Sequence, residues 1–145
     1  MIIRMWISPF FGENIVVTLD FHKDKTSIDV KRYQIRSYES GEVIVTLNKS
    51  LISVTYKKYS KIDKAKNNSF FIDLVFSDFL NTKPKAGHSG ADGWTWEIEA
   101  NIYGKYVFAK DWVPSEGSIF ELGNAIIEFS GIRSLCQKEH GCRGI

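Results

Sequence analysis

Residues 94–112, WTWEIEANIYGKYVFAKDW, decide the fold. Every second residue from Trp94 to Ala100 is apolar and the residues between them are polar, which is the period of a strand with one buried face. The run Asn101–Gly104 has the composition of a turn, and a second strand follows from Lys105. It ends before Pro114, because proline has no N–H to donate to a ladder. The sequence therefore predicts a β-hairpin.

A helix pattern follows the hairpin directly. Ser118 and Glu121 have the spacing of a capping box, and Gly131 supplies a stop. The apolar residues between them recur at steps of three and four and form one stripe: Ile119, Leu122, Ile126 and Phe129. We predict a helix over 118–130 that packs on the apolar face of the hairpin.

The N-terminal third has the pattern of an antiparallel meander. Residues 15–22 alternate between apolar and polar side chains, as a half-buried strand does. The apolar parity then changes near Arg32, which predicts a β-bulge. Ser40-Gly41 marks a further turn before another strand at 43–47.

The pattern changes again at Thr55, which has the chemistry of a helix N-cap. Tyr59, Ile62 and Ala65 follow at steps of three and four, so we predict a helix over 55–66. The rest of that helix would be basic, with five lysines: Lys57, Lys58, Lys61, Lys64 and Lys66. Such a surface is either a solvated helix face or a binding surface for phosphates.

Residues 70–80 fit a helix and a strand equally well, and we favour the helix. Together these patterns predict the α+β class: an antiparallel β-sheet, made of the N-terminal meander and the 94–112 hairpin, packed by helices near 55–66 and 118–130. We assign residues 1–132 to a single domain and 133–145 to a C-terminal tail.

The composition fits one globular domain. The chain has 145 residues, of which 43% are hydrophobic and 25% charged, and a chain of this length buries enough surface to fold without a staple. No stretch approaches the ~20 apolar residues of a transmembrane helix. The apolar run Met1–Gly12 is interrupted by Arg4 and lacks a cleavage site, so we expect no signal peptide. We predict a cytoplasmic protein without membrane association.

The two cysteines, Cys136 and Cys142, both lie near the C-terminus. Their spacing matches no standard zinc motif, because such a site needs about four ligands and His140 would supply only a third. We predict two unpaired thiols, with a disulfide and a metal site as the alternatives. We expect no cofactor and no metal.

Charge is segregated along the chain although the net charge is only +2. Residues 1–86 hold fourteen Lys and Arg against nine Asp and Glu. Residues 87–131 hold seven acidic side chains against two lysines. An asymmetry of this size can steer a charged partner, and it can equally serve solubility alone.

No motif for catalysis stands out. Glu97 and Glu99 emerge on the same side of their predicted strand, yet nothing in the sequence separates their two pKa values and no histidine lies close to them. We therefore predict no catalytic residue and no small-molecule substrate. The aromatic residues of the hairpin either stack on a ligand or form core beneath the helix at 118–130, and we favour core.

Several short motifs lie within residues 87–132, about a third of the chain: Asp92-Gly93-Trp94-Thr95-Trp96-Glu97-Ile98-Glu99, Gly104-Lys105-Tyr106, Trp112-Val113-Pro114 and a final helix ending Phe129-Ser130-Gly131-Ile132. Together they resemble the motifs of small bacterial immunity proteins from polymorphic-toxin and contact-dependent growth inhibition systems. The chain departs from the pattern at Trp94, where a small polar residue is expected.

The resemblance implies a toxin inhibitor, or antitoxin, with no chemistry of its own. Such a protein binds the toxic C-terminal domain of an effector, often a nuclease, and covers its active site. Nuclease domains are often basic, so we expect contacts from the acidic and aromatic residues of the hairpin region: Asp92, Trp94, Glu97, Glu99, Asp111, Trp112 and Glu116.

Two further hypotheses come from other functional classes. One is a nucleic-acid-binding module that uses the basic helix of Lys57 to Lys66 and the aromatic sheet face. The other is a small enzyme with an unrecognised acid–base pair. We rank both below protein binding: we expect a cognate toxin domain, a nuclease, as the partner, and we rank nucleic acid below it.

Overall fold

The computed structural model describes residues 1–9, 13–22, 26–35, 52–62, 70, 74, 78–81, 93–102, 104–138 and 142. Within them lie six β-strands: β1 (Ile2–Pro9), β2 (Asn14–Phe21), β3 (Thr26–Ile35), β4 (Ile52–Ile62), β5 (Trp94–Ile102) and β6 (Lys105–Trp112). A short 3-10 helix spans Phe79–Asn81, and the chain continues after β6 into α1 (Gly117–Ser130) and α2 (Arg133–Lys138).

The strands form one antiparallel sheet in the order β4-β3-β2-β1-β5-β6. The predicted hairpin is confirmed as β5 and β6, with Ile98 opposite Ala109 in the register. Helix α1 packs on this sheet, so the predicted α+β class is confirmed.

One of the two central strands of the sheet is β1, which the sequence analysis did not assign. Its alternate residues Ile3, Met5 and Ile7 are fully buried. The ladder with β2 extends to the first residue, because the Met1 ammonium donates to the Phe21 carbonyl oxygen at 3.1 Å and the Phe21 N–H donates back to the Met1 carbonyl oxygen at 2.8 Å. The N-terminus is thus tied into the sheet.

The meander predicted for the N-terminal third is present where the structure describes it. The strand predicted at 15–22 is β2, and the register between β3 and β4 shifts at Arg32/Tyr33, which confirms the predicted bulge. The strand predicted at 43–47 lies outside the described residues.

The helix predicted at 55–66 is wrong, because residues 52–62 form strand β4. Ile52, Val54 and Thr55 are β-branched and favour extended backbone, and β4 pairs with β3 along its length. The apolar spacing of three and four at these positions did not reflect a helix. The nucleic-acid hypothesis therefore loses the basic helix on which it was built.

Helicity is confirmed at two positions within 70–80. Phe70 and Leu74 are both helical and both buried in the core. The rings of Phe70, Phe21 and Phe129 form one aromatic cluster, with centroids 4.8 Å apart between Phe70 and Phe129. This cluster joins the end of β2 to the end of α1.

The helix predicted at 118–130 is confirmed as α1. It begins after the N-cap residue Glu116, which makes no side-chain cap hydrogen bond, so the capping box predicted at Ser118 and Glu121 is not how the helix starts. The predicted stop at Gly131 is confirmed: its φ is +64°, and its N–H donates to the Glu128 carbonyl oxygen in a Schellman-type end.

Helix α1 lies close against the sheet because Gly123 carries no side chain. A Cβ there would lie 2.4 Å from ring atoms of Trp96 and 3.2 Å from Cε of Met5. One turn earlier, the Phe120 ring stacks on the indole of Trp96 at 6.4 Å and 8°. Trp96 is therefore the side chain of the sheet against which α1 packs most closely at Phe120 and Gly123.

The C-terminal segment packs onto this core. Cys136, in α2, forms a disulfide with Cys142, and both residues are almost completely buried. Their Cα atoms are 5.4 Å apart, a separation that a disulfide ordinarily spans. The predicted pair of unpaired thiols is therefore wrong, and the disulfide alternative holds.

None of the helices in the described part of the chain combines the length and the apolar character that crossing a membrane requires.

Candidate functional site

Three of the predicted contact residues, Glu97, Glu99 and Trp112, lie on the face of the β5–β6 hairpin that is turned away from the core. Trp96, Ile98 and Ala100 are fully buried, so the residues that alternate with them in β5 point to the opposite face. We call this surface the outer face. It comprises ten residues of three strands: Arg4, Trp6, Thr95, Glu97, Glu99, Asn101, Tyr106, Phe108, Lys110 and Trp112.

The two central carboxylates of the outer face each bind a cation from a neighbouring strand. Arg4 lies opposite Glu99 in the register, and its Nη1 is 2.7 Å from Glu99 Oε1. Lys110 lies opposite Glu97, and its Nζ is 2.7 Å from Glu97 Oε1. The acidic strip expected from the sequence is thus part of a mixed, locally balanced set of charges.

A phenol completes this network. Tyr106 Oη donates to the second carboxylate oxygen of Glu99, Oε2, at 2.9 Å. The hydrogen bond to Glu99 raises the pKa of Tyr106 above 10.0, with smaller contributions from partial burial and from the negative charge of Glu99, while Arg4 acts in the opposite direction. Glu99 therefore holds one cation and one neutral donor at once.

Aromatic side chains surround these charges. Tyr106 is 61% exposed, and Trp6, Phe108 and Trp112 are half-buried. The expectation that the hairpin aromatics are core holds for Trp96 and fails for Tyr106 and Phe108, because the two strands contribute aromatic residues to opposite faces.

The open end of the hairpin, which we call the hairpin mouth, comprises Gly93, Trp94, Trp112 and Val113, and the Val113 N–H donates to the Trp94 carbonyl oxygen at 2.8 Å. Gly93 has a φ of +123°, and a Cβ there would lie 2.6 Å from Cγ2 of Val113. Val113 itself has a φ of +47°, a strained value for a β-branched residue. The Nε1 of Trp94 is buried and has no hydrogen-bond partner among the described residues.

The remaining predicted contacts are dispersed around the mouth. Asp111 uses its Oδ1 to accept the Trp112 N–H at 2.9 Å, and Glu116 is the exposed N-cap of α1. Asp92 lies outside the described residues. The structure thus brings Glu97, Glu99 and Trp112 together on the outer face. Trp94 and Asp111 alternate with outer-face residues along their strands and therefore lie on the opposite face of the sheet.

Seven residues of the outer face were not among the predicted contacts: Arg4, Trp6, Thr95, Asn101, Tyr106, Phe108 and Lys110. The signal for the first two was incomplete, since residues 2–9 read IIRMWISP, and Ile2 and Trp6 are apolar at positions where strict alternation has polar residues. The position of β1 beside β5 had no local signal.

The described residues include no group of three or more His, Cys, Asp or Glu side chains placed to hold a metal ion. His22 lies at the end of β2, where its Nε2 is 3.0 Å from Asp20 Oδ2. The titratable groups of the outer face are Glu97, Glu99, Tyr106 and their cations, and they form ion pairs and a hydrogen bond with one another.

The sequence matches no protein-family model, and no curated protein matches it significantly. Any assignment of function therefore depends on the geometry of the outer face and on the short motifs of the hairpin and α1.

Proposed function

We propose that the chain is an immunity protein. It binds the toxic C-terminal domain of a bacterial effector, a nuclease, and neutralises it by covering the active site. The observation that carries this proposal is the outer face, where two carboxylates and four partly exposed aromatic rings lie together on a rigid sheet. The motifs of residues 87–132 support the same function.

The carboxylates of the outer face are available to a partner although each is ion-paired. The side chains of Arg4 and Lys110 are 44% and 46% exposed. Ion pairs at such exposure contribute only about 0–1 kcal/mol, so exchanging one cation for another has little cost. A basic toxin surface can therefore replace Arg4 at Glu99 and Lys110 at Glu97.

The aromatic side chains supply the apolar part of the contact. Tyrosine and tryptophan are enriched among the residues that dominate protein–protein binding, because each buries a large area and keeps a polar atom for hydrogen bonding. Tyr106, Phe108 and Trp112 lie in one row on the outer face of β6, in which Lys110 separates Phe108 from Trp112, so they present apolar area on both sides of a cation to a partner.

Long-range charge favours the same partner. The excess of acidic side chains between residues 87 and 131 would attract a basic nuclease and raise its association rate at low ionic strength. The carboxylates would then occupy positions that substrate phosphates otherwise take.

The proposal expects a large exported protein to be encoded immediately upstream of this chain, and the direct test uses the C-terminal domain of that protein. Expression of that domain alone should stop growth, and co-expression with this chain should restore it. The double variant Glu97→Lys with Glu99→Lys should weaken binding at low salt by at least tenfold, because two attractive contacts become repulsive.

The matched control is Glu121→Lys with Glu128→Lys, which makes the same charge change on exposed positions of α1. The two double variants are compared at physiological salt as well, where long-range attraction is largely screened. There the control should leave binding within about twofold, while the outer-face variant should still bind more weakly than wild type. Equal binding by wild type and the outer-face variant would show that the site is wrongly placed. Failure of the wild-type chain to bind or protect would reject the immunity function itself.

The proposal also places the chain in the cytoplasm, where an imported toxin would act. Disulfides are rare in that compartment and persist in oxidising ones, so the Cys136–Cys142 bond gives the localisation its own test. The structure holds the oxidised form of this pair, whereas a reducing cytoplasm should keep the same two cysteines as thiols. Acid quenching followed by alkylation of the protein in its native cell measures which form is present, and the proposal expects the thiols. Recovery of the disulfide would contradict the cytoplasmic assignment.

A further inference from the structure

The sheet ends at β6, and its hydrogen-bond pattern identifies the backbone groups left at that edge. Among the described strands only β5 pairs with β6. The Val113 N–H donates to the Trp94 carbonyl oxygen at 2.8 Å. Hydrogen-bonded pairs recur at every second residue of an antiparallel ladder, so Asp111, Ala109 and Val107 also face β5.

The intervening residues of β6 therefore direct their N–H and C=O groups away from β5. Trp112 is capped, because its N–H donates to Asp111 Oδ1 at 2.9 Å. Tyr106, Phe108 and Lys110 pair through their backbone with no strand in the described part of the chain. An edge of this kind can template pairing with a further strand.

We propose that this edge pairs with the same edge of a second copy of the chain, so that two sheets join through antiparallel β6 strands about a two-fold axis at Phe108. Two-fold symmetry requires a self-complementary surface. In this register Phe108 lies opposite Phe108 of the second copy, and Tyr106 lies opposite Lys110. All the backbone groups left at the edge by these three residues are then paired.

The side chains of β6 complement one another in the same register. Lys105 lies opposite Asp111 of the second copy, and Val107 lies opposite Ala109. Oppositely charged residues directly across an antiparallel pair are favourable. The two-fold axis generates two Lys105–Asp111 pairs, one at each end of the paired strands. Lys105 Nζ also donates to the Leu80 carbonyl oxygen at 2.7 Å and keeps further protons for this contact.

The charge pattern selects this register over its neighbours. Sliding one strand by two residues keeps the backbone pairing possible, but it places Lys105 opposite Ala109 in one direction. In the other direction it places Asp111 opposite Val107. Only the register centred on Phe108 joins the two charges.

Lysines on edge strands ordinarily discourage pairing, because they would bring unneutralised charge against another strand. Here Lys110 is already bound to Glu97 at 2.7 Å, on the outer face. Lys105 would meet a carboxylate from the second copy. The lysines of β6 are therefore compatible with pairing to this one partner and unfavourable for an arbitrary strand.

This inference stands apart from the immunity function, since it uses only the edge of β6. The test is sedimentation velocity on the full-length chain alone, from micromolar to millimolar concentration. We expect the mass to rise with concentration from one copy to two and to stop there. A monomer over the whole range would overturn the proposal, including the case in which the edge accepts a strand only from another protein.

Phe108→Pro removes the central N–H of the edge while leaving the β5–β6 bonds in place, because that N–H faces away from β5. It should shift the dimer dissociation constant upward by at least tenfold. Circular dichroism and thermal unfolding would confirm that the monomer is folded. A folded variant that dimerises as well as wild type would overturn the proposed edge.

A charge exchange tests the register and does not depend on the proline variant. Lys105→Glu alone, or Asp111→Lys alone, places like charges opposite each other and should weaken the dimer several-fold. Lys105→Glu with Asp111→Lys should restore it. The control Lys138→Glu changes the same charge on exposed α2 and should have no effect. Equal behaviour of the single and double variants would overturn the register.

Discussion

The two faces of the β5–β6 hairpin come from one alternating sequence, yet they are stabilised in different ways. On the core face, Trp96, Ile98 and Ala109 are fully buried, and the indole of Trp96 contacts α1 at Phe120 and Gly123. On the outer face, charged side chains pair across strands and remain partly exposed. The core face stabilises the fold, whereas the outer face is free to change its contacts.

This difference separates stability from binding within a single hairpin. Burial of a large apolar side chain contributes several kcal/mol, while an exposed ion pair contributes about 0–1 kcal/mol. Substitutions on the core face should therefore unfold the protein, and those on the outer face should alter a binding surface with little effect on folding. Each of the following experiments compares the two faces.

The largest effect should come from Trp96→Ala. Removing a fully buried indole costs about 3–5 kcal/mol, because the space that it leaves between β5 and α1 cannot close. The half-buried Trp112, on the outer face of the same hairpin, is the matched control. Trp112→Ala should cost about 1 kcal/mol. The measurement is urea unfolding followed by far-ultraviolet circular dichroism.

Equal losses for the two tryptophan variants would contradict the division of the hairpin into a structural face and a binding face. A change in the m-value, which is the slope of the unfolding free energy against urea concentration, would point to altered compactness of the unfolded chain. Lost packing changes the midpoint and leaves the m-value unchanged. The two variants also separate function from folding, since only Trp112→Ala should keep a folded chain with weaker toxin binding.

The hairpin and α1 could be predicted from sequence because their signals are local. An alternation of two, a turn and an apolar stripe each fit within about a dozen residues. Strand β4 could not be predicted in this way, since its spacing also fits a helix and pairing with β3 decides the matter. The ion pair between Arg4 and Glu99 depends on β1 lying beside β5, which joins residues far apart in sequence.

The same limit applies to the functional surface. Glu97 and Glu99 were correctly placed on one side of their strand, because side-chain parity follows from the sequence. Their cations could not be foreseen, since Lys110 and Arg4 meet them only once the registers are fixed. Parity predicts which side chains share a face, and register decides which of them neutralise each other.

The second effect in size should come from Gly123→Ala on the core face. The new Cβ would lie 2.4 Å from the ring of a fully buried Trp96, so the helix or the indole must move. Overpacking of this kind costs about 1–3 kcal/mol. It outweighs the gain of up to about 1 kcal/mol that alanine brings to a helix interior. We expect a net loss in thermal and urea unfolding.

Two companion variants isolate the cause of that loss. Asn124→Ala changes the adjacent helix position without approaching Trp96 in this way, and it should be neutral or stabilising. Trp96→Phe combined with Gly123→Ala should lose less than the sum of the two single variants, because the smaller ring leaves room for the methyl group. A stabilising effect of Gly123→Ala alone would show that α1 is not in close contact with Trp96.

A smaller effect is expected from the ion pairs of the outer face. Double-mutant cycles with Arg4→Ala and Glu99→Ala, and with Lys110→Ala and Glu97→Ala, should each give a coupling energy of about 0.2–1 kcal/mol. Both couplings should fall with added salt, because the pairs are exposed to solvent. A coupling above 2 kcal/mol would mean that these ion pairs stabilise the fold strongly. Cations of a toxin would then not readily replace Arg4 and Lys110 at the two carboxylates.

The smallest effect concerns the phenol of Tyr106 and appears only at alkaline pH. The hydrogen bond to Glu99 raises the pKa of Tyr106 above 10.0 in the folded chain, so the folded state holds this proton more tightly than the unfolded state. The resulting stability is fully present below the unfolded pKa and is lost as the pH rises through the folded pKa. The difference between the ultraviolet titrations of wild type and Tyr106→Phe isolates this group from the other five tyrosines.

The decisive comparison is with Glu99→Gln, which keeps a hydrogen-bond acceptor and removes the negative charge. In that background the pKa of Tyr106 should fall toward its ordinary value, because a neutral acceptor stabilises the phenol proton less than a carboxylate does. Occupation of the outer face by a basic partner should have the same effect, since a toxin cation at Glu99 would compete with the phenol. An unchanged pKa of Tyr106 in Glu99→Gln would show that the carboxylate does not hold this proton, and the outer face would then lose the link between its aromatic row and its charges.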